Sequence, residues 1–423
     1  MKYQSVRGME DILPRDIAIW QRLEEIARNV FESYGYVQIR TPILEETSLF
    51  VRSIGEATDI VTKEMYTLQD KKGRYLTLRP EGTAPVVRAC IEHNLYKTQT
   101  EIKLYYMGPM FRSERPQKGR SRQFYQIGAE VIGNRSVFGD AEILSQVNKL
   151  LKSMRLKDFS IKLNTLGCKK DKAAFAAILK KYLSARKNRL CEDCKKRLKK
   201  NVLRVLDCKN EACIFVIKEA PDIRDSLCSD CVKYFKALTA ILKALGVSFI
   251  EEKNLVRGLD YYTGTVFEIS HHALGSQDAI GAGGRYNDLV HDLGGPDMGA
   301  VGYALGIERI ILALKGQEKP LAQTETAEGD IYIATMGEAA KIRGMRIAND
   351  IRKDLKLRAL TDTKEASLKA QMRNADRRGV RFTVILGDDE IKKREVIIRD
   401  MRTKEQINIS ESKITQTIQE RMK

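Results

Sequence analysis

The 423-residue sequence is short of several class-defining features, and each gap excludes something. No apolar run approaches the roughly 18 residues that a bilayer-spanning helix needs, so no membrane role is expected. The opening stretch Met1–Asp11 has no apolar core and carries acids early, unlike a secretory signal, which leads to the expectation of a cytoplasmic protein. No GxxxxGK[ST] segment is present, so a nucleotide would not be held by a P-loop. The GxGxxG spacing is also missing, which removes a dinucleotide-binding fold. No Ser–His or Cys–His pair marks a covalent nucleophile. There is no internal repeat and no low-complexity tract.

Positive charge is in excess. The formal net charge is +18, and the chain is 43% hydrophobic and 31% charged, enough for real cores and unlike a disordered chain. The length suggests two or three domains. The charge is uneven: residues 151–245 carry +14 and residues 330–423 carry +7, whereas 1–150 and 246–329 carry +3 and −6. A Lys-rich helix is ordinarily a solvated face. Two basic modules flanking a near-neutral remainder point instead to a polyanion, because phosphate neutralisation dominates nucleic-acid affinity.

Periodicity organises the chain. Residues Asp16–Tyr34 have a helical apolar stripe stopped by Gly35. Pro42 places a strand over 36–43 at an edge or an end, a hairpin spans 66–79, and strands are expected at Leu104–Met110 and Gln123–Ile132. The order lacks regular βαβ alternation, so the expectation is α+β with an antiparallel sheet. Residues 151–245 are helical, Lys-rich and hold seven of the eight cysteines, the mark of an insertion into a sheet domain built from 1–150 and 246–320. A linker is expected at 321–329. Residues 330–423 then alternate strand and helix as a small α/β domain.

Four stretches place charge where a sheet should be apolar. In Leu78-Arg79-Pro80-Glu81-Gly82-Thr83, a carboxylate at a strand end beside a glycine suits an ammonium group, though a turn with a surface Glu fits equally. Phe111-Arg112-Ser113-Glu114-Arg115 precedes a strand in which Phe124, Gln126, Gly128 and Glu130 share one face, with Gly128 as a notch. That row reads as a ligand floor, or as a solvent-facing row. In Leu255–Glu268, Arg257 interrupts an apolar strand before Tyr261 and Tyr262, and a buried arginine needs an anion. Gly281-Ala282-Gly283-Gly284-Arg285-Tyr286 is a glycine cluster that cradles a ligand or simply turns.

Together with Gly302–Arg309, these stretches resemble histidyl-tRNA synthetase, a class II aminoacyl-tRNA synthetase, in order along nearly the whole chain. The resemblance implies a catalytic domain with motifs 1, 2 and 3, a C-terminal anticodon-binding domain, and a homodimer formed through the helix ending near Gly35. It implies ATP-dependent ligation of L-histidine to tRNA(His) through a histidyl-adenylate, with Mg²⁺ on the phosphates. Arg112 and Arg257 would be catalytic, at the α-phosphate. Histidine would be bound by Glu81, Gly82, Thr83, Arg112, Gln126, Glu130, Arg257, Tyr261, Tyr262 and Tyr286. ATP would be bound by Arg112, Glu114, Phe124 and Arg309, and the tRNA acceptor end would meet Arg115, Gln117 and Arg122. A non-catalytic relative that regulates the first enzyme of histidine biosynthesis shares the core. It lacks the C-terminal domain and usually degrades the Arg257–Tyr262 stretch, and both are intact here.

Cys191-x-x-Cys194 and Cys228-x-x-Cys231 have zinc-knuckle spacing. The expectation is one structural Zn²⁺ held by these two pairs. The competing reading is reduced thiols packed among helices, and the family's insertion does not generally require a metal.

Overall fold

The computed structural model describes residues 3–56, 58–275, 278–317, 331–364 and 366–422. The chain divides into two compact units, 1–321 and 322–423. The expected linker at 321–329 lies outside the described residues.

The first unit opens with α1 (Pro14–Ser33), which has proline in its first turn and buries the stripe Trp20, Leu23, Ala27, Val30 and Phe31. Gly35 follows at φ +80°, a conformation that suits glycine at a helix end. The strand expected over 36–43 shrinks to β1 (Val37–Gln38), a parallel edge strand. Then come β2 (Leu44–Glu46), α2 (Thr47–Ile54), β3 (Tyr66–Gln69) and β4 (Tyr75–Leu78). The expected hairpin forms, in a separate sheet of order β2-β4-β3. After α3 (Thr83–Glu92), β5 (Ile102–Phe111) and β6 (Gln123–Ile132) make a long antiparallel ladder from Ile102 opposite Ile132 to Phe111 opposite Gln123.

Next are α4 (Val137–Ser153), β7 (Phe159–Thr165) and the helices α5 (Lys169–Ser184), α6 (Glu192–Lys200), α7 (Glu211–Lys218) and α8 (Ser229–Ala244). The chain returns through β8 (Ile250–Glu251), β9 (Thr265–His271), β10 (Ala279–Arg285), α9 (Leu289–Asp292), β11 (Ala300–Gly306) and α10 (Ile307–Lys315). Eight strands form one sheet, in the order β1-β5-β6-β11-β10-β9-β7-β8. Only its two outermost pairs are parallel. The insertion is therefore narrower than 151–245. β7 is a strand of the main sheet beside β9, and α8 buries Phe235, Leu238 and Leu242 in the same core as α1 and α4.

Strand alternation sorts β6 between two layers. Ile127, Ala129 and Val131 join α1, α4, α8 and α10 in one core. Phe124 and Ile132 point to the other face, packed with Tyr106, Tyr262 and Tyr286. Each fully buried large apolar side chain contributes about 1.5–3 kcal/mol, and a one-residue slip would exchange the two faces. A buried ion pair ties the layers together. Arg285 on β10 donates from Nε to Asp140 Oδ1 at 2.8 Å, and Thr265 and Tyr234 also donate to Asp140. Arg285 and Asp140 are 2% and 0% exposed, so each charge depends on the other.

The second unit contains β12 (Ile331–Thr335), α11 (Glu338–Asp354), β13 (Ala359–Thr361), α12 (Leu368–Arg377), β14 (Phe382–Leu386), α13 (Asp388–Lys393), β15 (Glu395–Asp400), β16 (Gln406–Ser410) and α14 (Ile414–Met422). Its sheet order is β13-β12-β14-β15-β16, parallel across the first three strands and antiparallel beyond. Helices α11 and α14 cover one face and α12 the other. The alternation of strand and helix expected from the sequence is present. The short α13 is stapled at its start by Glu390, which accepts the Gly387 N–H at 2.8 Å.

Candidate active site

A cavity of about 190 Å³ opens on the even-numbered face of β6. Glu81, Thr83, Arg112, Glu114, Phe124, Gln126, Arg257, Tyr261, Tyr262 and Arg309 line it, so residues from opposite ends of the first unit converge on one space.

Glu81 sits at the start of α3, where the first N–H groups lack intrahelical partners. Its two carboxylate oxygens accept from Thr83 N at 2.6 Å and Ala84 N at 3.0 Å. Burial raises its pKa above the ordinary carboxylate value, against those hydrogen bonds. The stretch is thus a buried helix cap, not a surface turn.

Behind Thr83 stands Glu130, fully buried. The Thr83 hydroxyl donates to Glu130 Oε1 at 2.7 Å, and the Tyr286 hydroxyl donates to Oε2. Desolvation pushes the Glu130 carboxyl up to about 8. A side chain at Gly302, on the neighbouring β11, would collide with Glu130 Oε2, so glycine is required there. Glu130 and Tyr286 are not among the cavity-lining residues. They stand behind the wall, with Thr83 bonded to Glu130 and with Tyr261, whose ring meets Tyr286 edge-on with centroids 5.6 Å apart.

The notch expected at Gly128 is filled by Tyr106, which lies opposite it on β5. Side chains at Gly128 or Gly82 would both strike the Tyr106 ring. Two glycines therefore make a slot for one tyrosine, and Gly82 contributes through that slot, since it is absent from the cavity lining. Sequence reading missed Tyr106 because strand register decides which residue faces which glycine.

Arg257 does not lie on a strand. It is in the loop between β8 and β9, where Gly264 at φ +60° turns the chain before Thr265 starts the ladder. Its Nη1 donates to Glu268 Oε2 at 2.7 Å, while its buried Nε has no hydrogen-bond partner among the described residues. The Gln126 side-chain oxygen Oε1 is likewise buried and without a partner among the described residues. Unmet polar groups on a cavity wall are what a polar ligand satisfies.

The other two arginines are also fixed one by one. Arg112 Nε donates to the Pro80 carbonyl at 2.9 Å, and its guanidinium lies 5.3 Å from the centroid of the Phe124 ring. Arg309 donates to the carbonyls of Ala279 and Gly119, and burial lowers its pKa from the ordinary arginine value. Glu114 pairs with Arg120 at 3.0 Å. Glu308, another wall residue that sequence reading missed, accepts the Tyr125 N–H, and burial lifts its carboxyl to about 7. Burial also raises Tyr262 to about 12.

The three residues expected at the tRNA acceptor end behave differently from one another. Arg115 and Gln117 are exposed on the loop between β5 and β6, outside the cavity lining. Arg122 is half-buried and donates to the carbonyls of Glu114 and Arg7.

The cysteines correct the single-site expectation. Cys191 and Cys194 gather with Cys208 and Cys213, whereas Cys228 and Cys231 gather with Cys168 and Asp171. The two Cys-x-x-Cys pairs thus belong to different clusters. Spacing identified each pair but not its partners.

The comparisons with known proteins agree with this geometry. A family model described as histidyl-tRNA synthetase matches residues 8–310, and an anticodon binding domain model matches residues 330–421. The chain is 45% identical over 418 residues to a histidine–tRNA ligase of Thermosipho melanesiensis, covering 99% of each. It is 46% identical over 424 residues to that of Thermotoga maritima, covering 100% of this chain and 99% of the relative. The solved structure of apo Staphylococcus aureus histidyl-tRNA synthetase superposes with a TM-score of 0.82 at 36% identity, covering 99% of this chain and all of that one. The chain belongs to the histidyl-tRNA synthetase family.

Proposed function

We propose that the protein ligates L-histidine to tRNA(His) in two steps inside the cavity described above. A histidine carboxylate oxygen attacks the α-phosphorus of ATP, the bond to the bridging oxygen breaks, and pyrophosphate leaves. A hydroxyl of the tRNA terminal ribose then attacks the histidyl carbonyl, and AMP leaves. Both steps depend on positioning and on stabilising charge as it develops. Arg112 and Arg257 are the catalytic cations, held ready by Pro80 O and Glu268. Arg309 and Phe124 bind the nucleotide, with Glu114 accepting from its amino group.

Glu81 and Thr83 receive the α-ammonium of histidine, and the unpartnered Gln126 oxygen assists. Tyr261 and Tyr262 flank the imidazole. Glu130 and Tyr286 act from behind the wall as positioning residues. Polar recognition of this kind rejects apolar amino acids strongly, because they would leave buried groups unpaired. Magnesium brings charge neutralisation to the leaving phosphates. Of the three lining carboxylates, Glu81 is committed to the α3 cap, Glu114 to Arg120 and Glu308 to the Tyr125 N–H, so the phosphates themselves would hold the ion.

The tRNA would lie against the exposed Arg115 and Gln117, the basic insertion and the 330–423 unit. A homodimer would pair through the α1–β2 segment, where Val37, Ile43 and Leu44 are exposed apolar residues. Structural zinc would sit in the insertion. Eight unpaired cysteines accord with the reducing cytoplasm. A non-catalytic regulatory role has less support, because the three arginines are complete and the anticodon binding model matches.

The observation that carries the reading is the convergence of Arg112, Arg257 and Arg309 on one cavity beside Glu81 and Thr83. The test is ATP–pyrophosphate exchange without tRNA. Exchange that depends on histidine, followed by charging of tRNA(His), is expected. Exchange with no histidine dependence, or none at all, would overturn it.

A further inference from the structure

We propose that Cys191, Cys194, Cys208 and Cys213 bind one zinc ion, and that this ion fixes the segment of the insertion that backs the Arg257 loop. The four sulfurs come from three places: the start of α6, the turn after it, and α7. All four lie within 4.8 Å of one another. A tetrahedral zinc with Zn–S of about 2.3 Å sets its sulfurs about 3.8 Å apart. Cys191 Sγ and Cys208 Sγ are 3.8 Å apart, whereas a disulfide would need about 2.05 Å.

Two further features separate this group from thiols that merely pack. Cys191 occupies the N-cap of α6, a position that Ser or Asp normally fills, yet its side chain makes no capping hydrogen bond. Its sulfur is turned to the other three instead. Backbone N–H groups are aimed at the sulfurs: Cys191 N at Cys213 Sγ, 3.2 Å, and Asn210 N at Cys208 Sγ, 3.5 Å. Donors of this kind orient and stabilise metal-bound thiolates. Four thiolates around Zn²⁺ leave two negative charges, and the adjoining Lys195, Lys196, Arg197, Lys199 and Lys200 offset them.

The second cluster has its own explanation. Asp171 Oδ2 accepts from Cys168 N at 3.3 Å and Oδ1 from Cys228 N at 3.0 Å. One carboxylate thereby caps both α5 and α8, and no ion is needed to account for it.

The zinc ligands bracket residues 195–207, and this segment touches the catalytic side. Arg197 pairs with Asp59 at 3.0 Å, and Asn201 Nδ2 donates to Asp260 Oδ1 at 2.8 Å. The buried Arg204 donates to the backbone carbonyl of Arg257 at 3.4 Å. An ion that holds Cys194 and Cys208 fixes both ends of this brace. The effect on adenylation rests on the functional reading above; metal binding does not.

The test uses the full-length protein purified without chelator, with metal measured by elemental analysis. About one zinc per chain is expected, falling below about 0.2 in Cys208→Ser and unchanged in Cys228→Ser. Metal-stripped protein titrated with Co²⁺ alone should give the intense absorption of tetrahedral cobalt thiolate, which reads the site even if a serine variant fails to fold. No zinc and no cobalt spectrum, zinc retained in Cys208→Ser, or zinc lost in Cys228→Ser would each overturn the site. Stripping should lower kcat of histidine-dependent exchange with KM for ATP little changed, and added zinc should restore it. An unchanged kcat would overturn the brace, while the metal content would still stand as measured.

Discussion

The cavity and the insertion handle positive charge in opposite ways. In the insertion, lysines are numerous and mostly exposed, and residues 151–245 carry +14, with a few held in place, such as Lys172 by the carbonyls of Asp260 and Tyr262. Around the cavity, cations are few and each is held. Arg112 is tied to Pro80 O, Arg257 to Glu268, and Arg309 to Gly119 O. The extreme case is Arg285, which is buried and paired with Asp140. Exposed charge is interchangeable and screened by salt, so it serves a long polyanion. Held charge is specific and costly to remove, so it serves one small substrate.

The strongest test of that contrast is Asp140→Ala. It leaves Arg285 buried without its anion, and breaking such a pair costs about 3–5 kcal/mol. Denaturant unfolding should show that loss for Asp140→Ala, whereas the exposed insertion variants Lys180→Ala and Lys181→Ala should unfold at the wild-type midpoint. Equal midpoints for all three would erase the distinction.

Catalysis gives the next contrast. Removing one preorganised donor at a site of developing charge costs about 10²–10³-fold in rate. Arg112→Ala and Arg257→Ala should each lower histidine-dependent exchange by that much, while Lys180→Ala leaves exchange within about twofold and weakens only tRNA charging. A Lys180→Ala variant as defective in exchange as Arg257→Ala would break the division.

Salt separates the two classes without mutation. Raising monovalent salt from about 50 to about 200 mM should weaken tRNA binding by about tenfold or more and change exchange by less than about twofold. Equal salt dependence in both assays would mean that the insertion's charge is not what grips the tRNA.

How far these arrangements could be read in advance depends on the distance over which each is specified. Local rules carried the α1 stripe with its Gly35 stop, the β6 row and the strand–helix alternation of the second unit. The shared face of Phe124, Gln126 and Glu130 follows from strand alternation alone. Register and topology were invisible. Tyr106 fills the Gly128 slot because β5 pairs with β6 in one particular register. Glu130 stands behind the wall because Thr83 and Tyr286, from distant segments, reach it first. Arg257 sits on a loop because Gly264 delays the strand and because Arg204 of the insertion holds its carbonyl. The cysteine pairs were legible and their partners were not, for the same reason.

The last expected effect concerns the buried acid behind the cavity. Burial raises the Glu130 carboxyl from 4.5 to about 8. The folded state therefore binds a proton between those values that the unfolded state has released. Stability slopes with the difference in bound protons, unfolded minus folded. That difference is negative across the window, so stability falls as pH rises from about 4.5 to about 8. Glu130→Gln keeps the shape and an amide to meet Thr83 and Tyr286, and removes the titration. Its unfolding free energy, followed by denaturant between pH 5 and 8, should decline less steeply than that of the wild type. Parallel profiles would show that Glu130 is already ionised in the fold, held by the Thr83 and Tyr286 hydroxyls, and would move it from the buried-acid class to that of the tied cavity arginines.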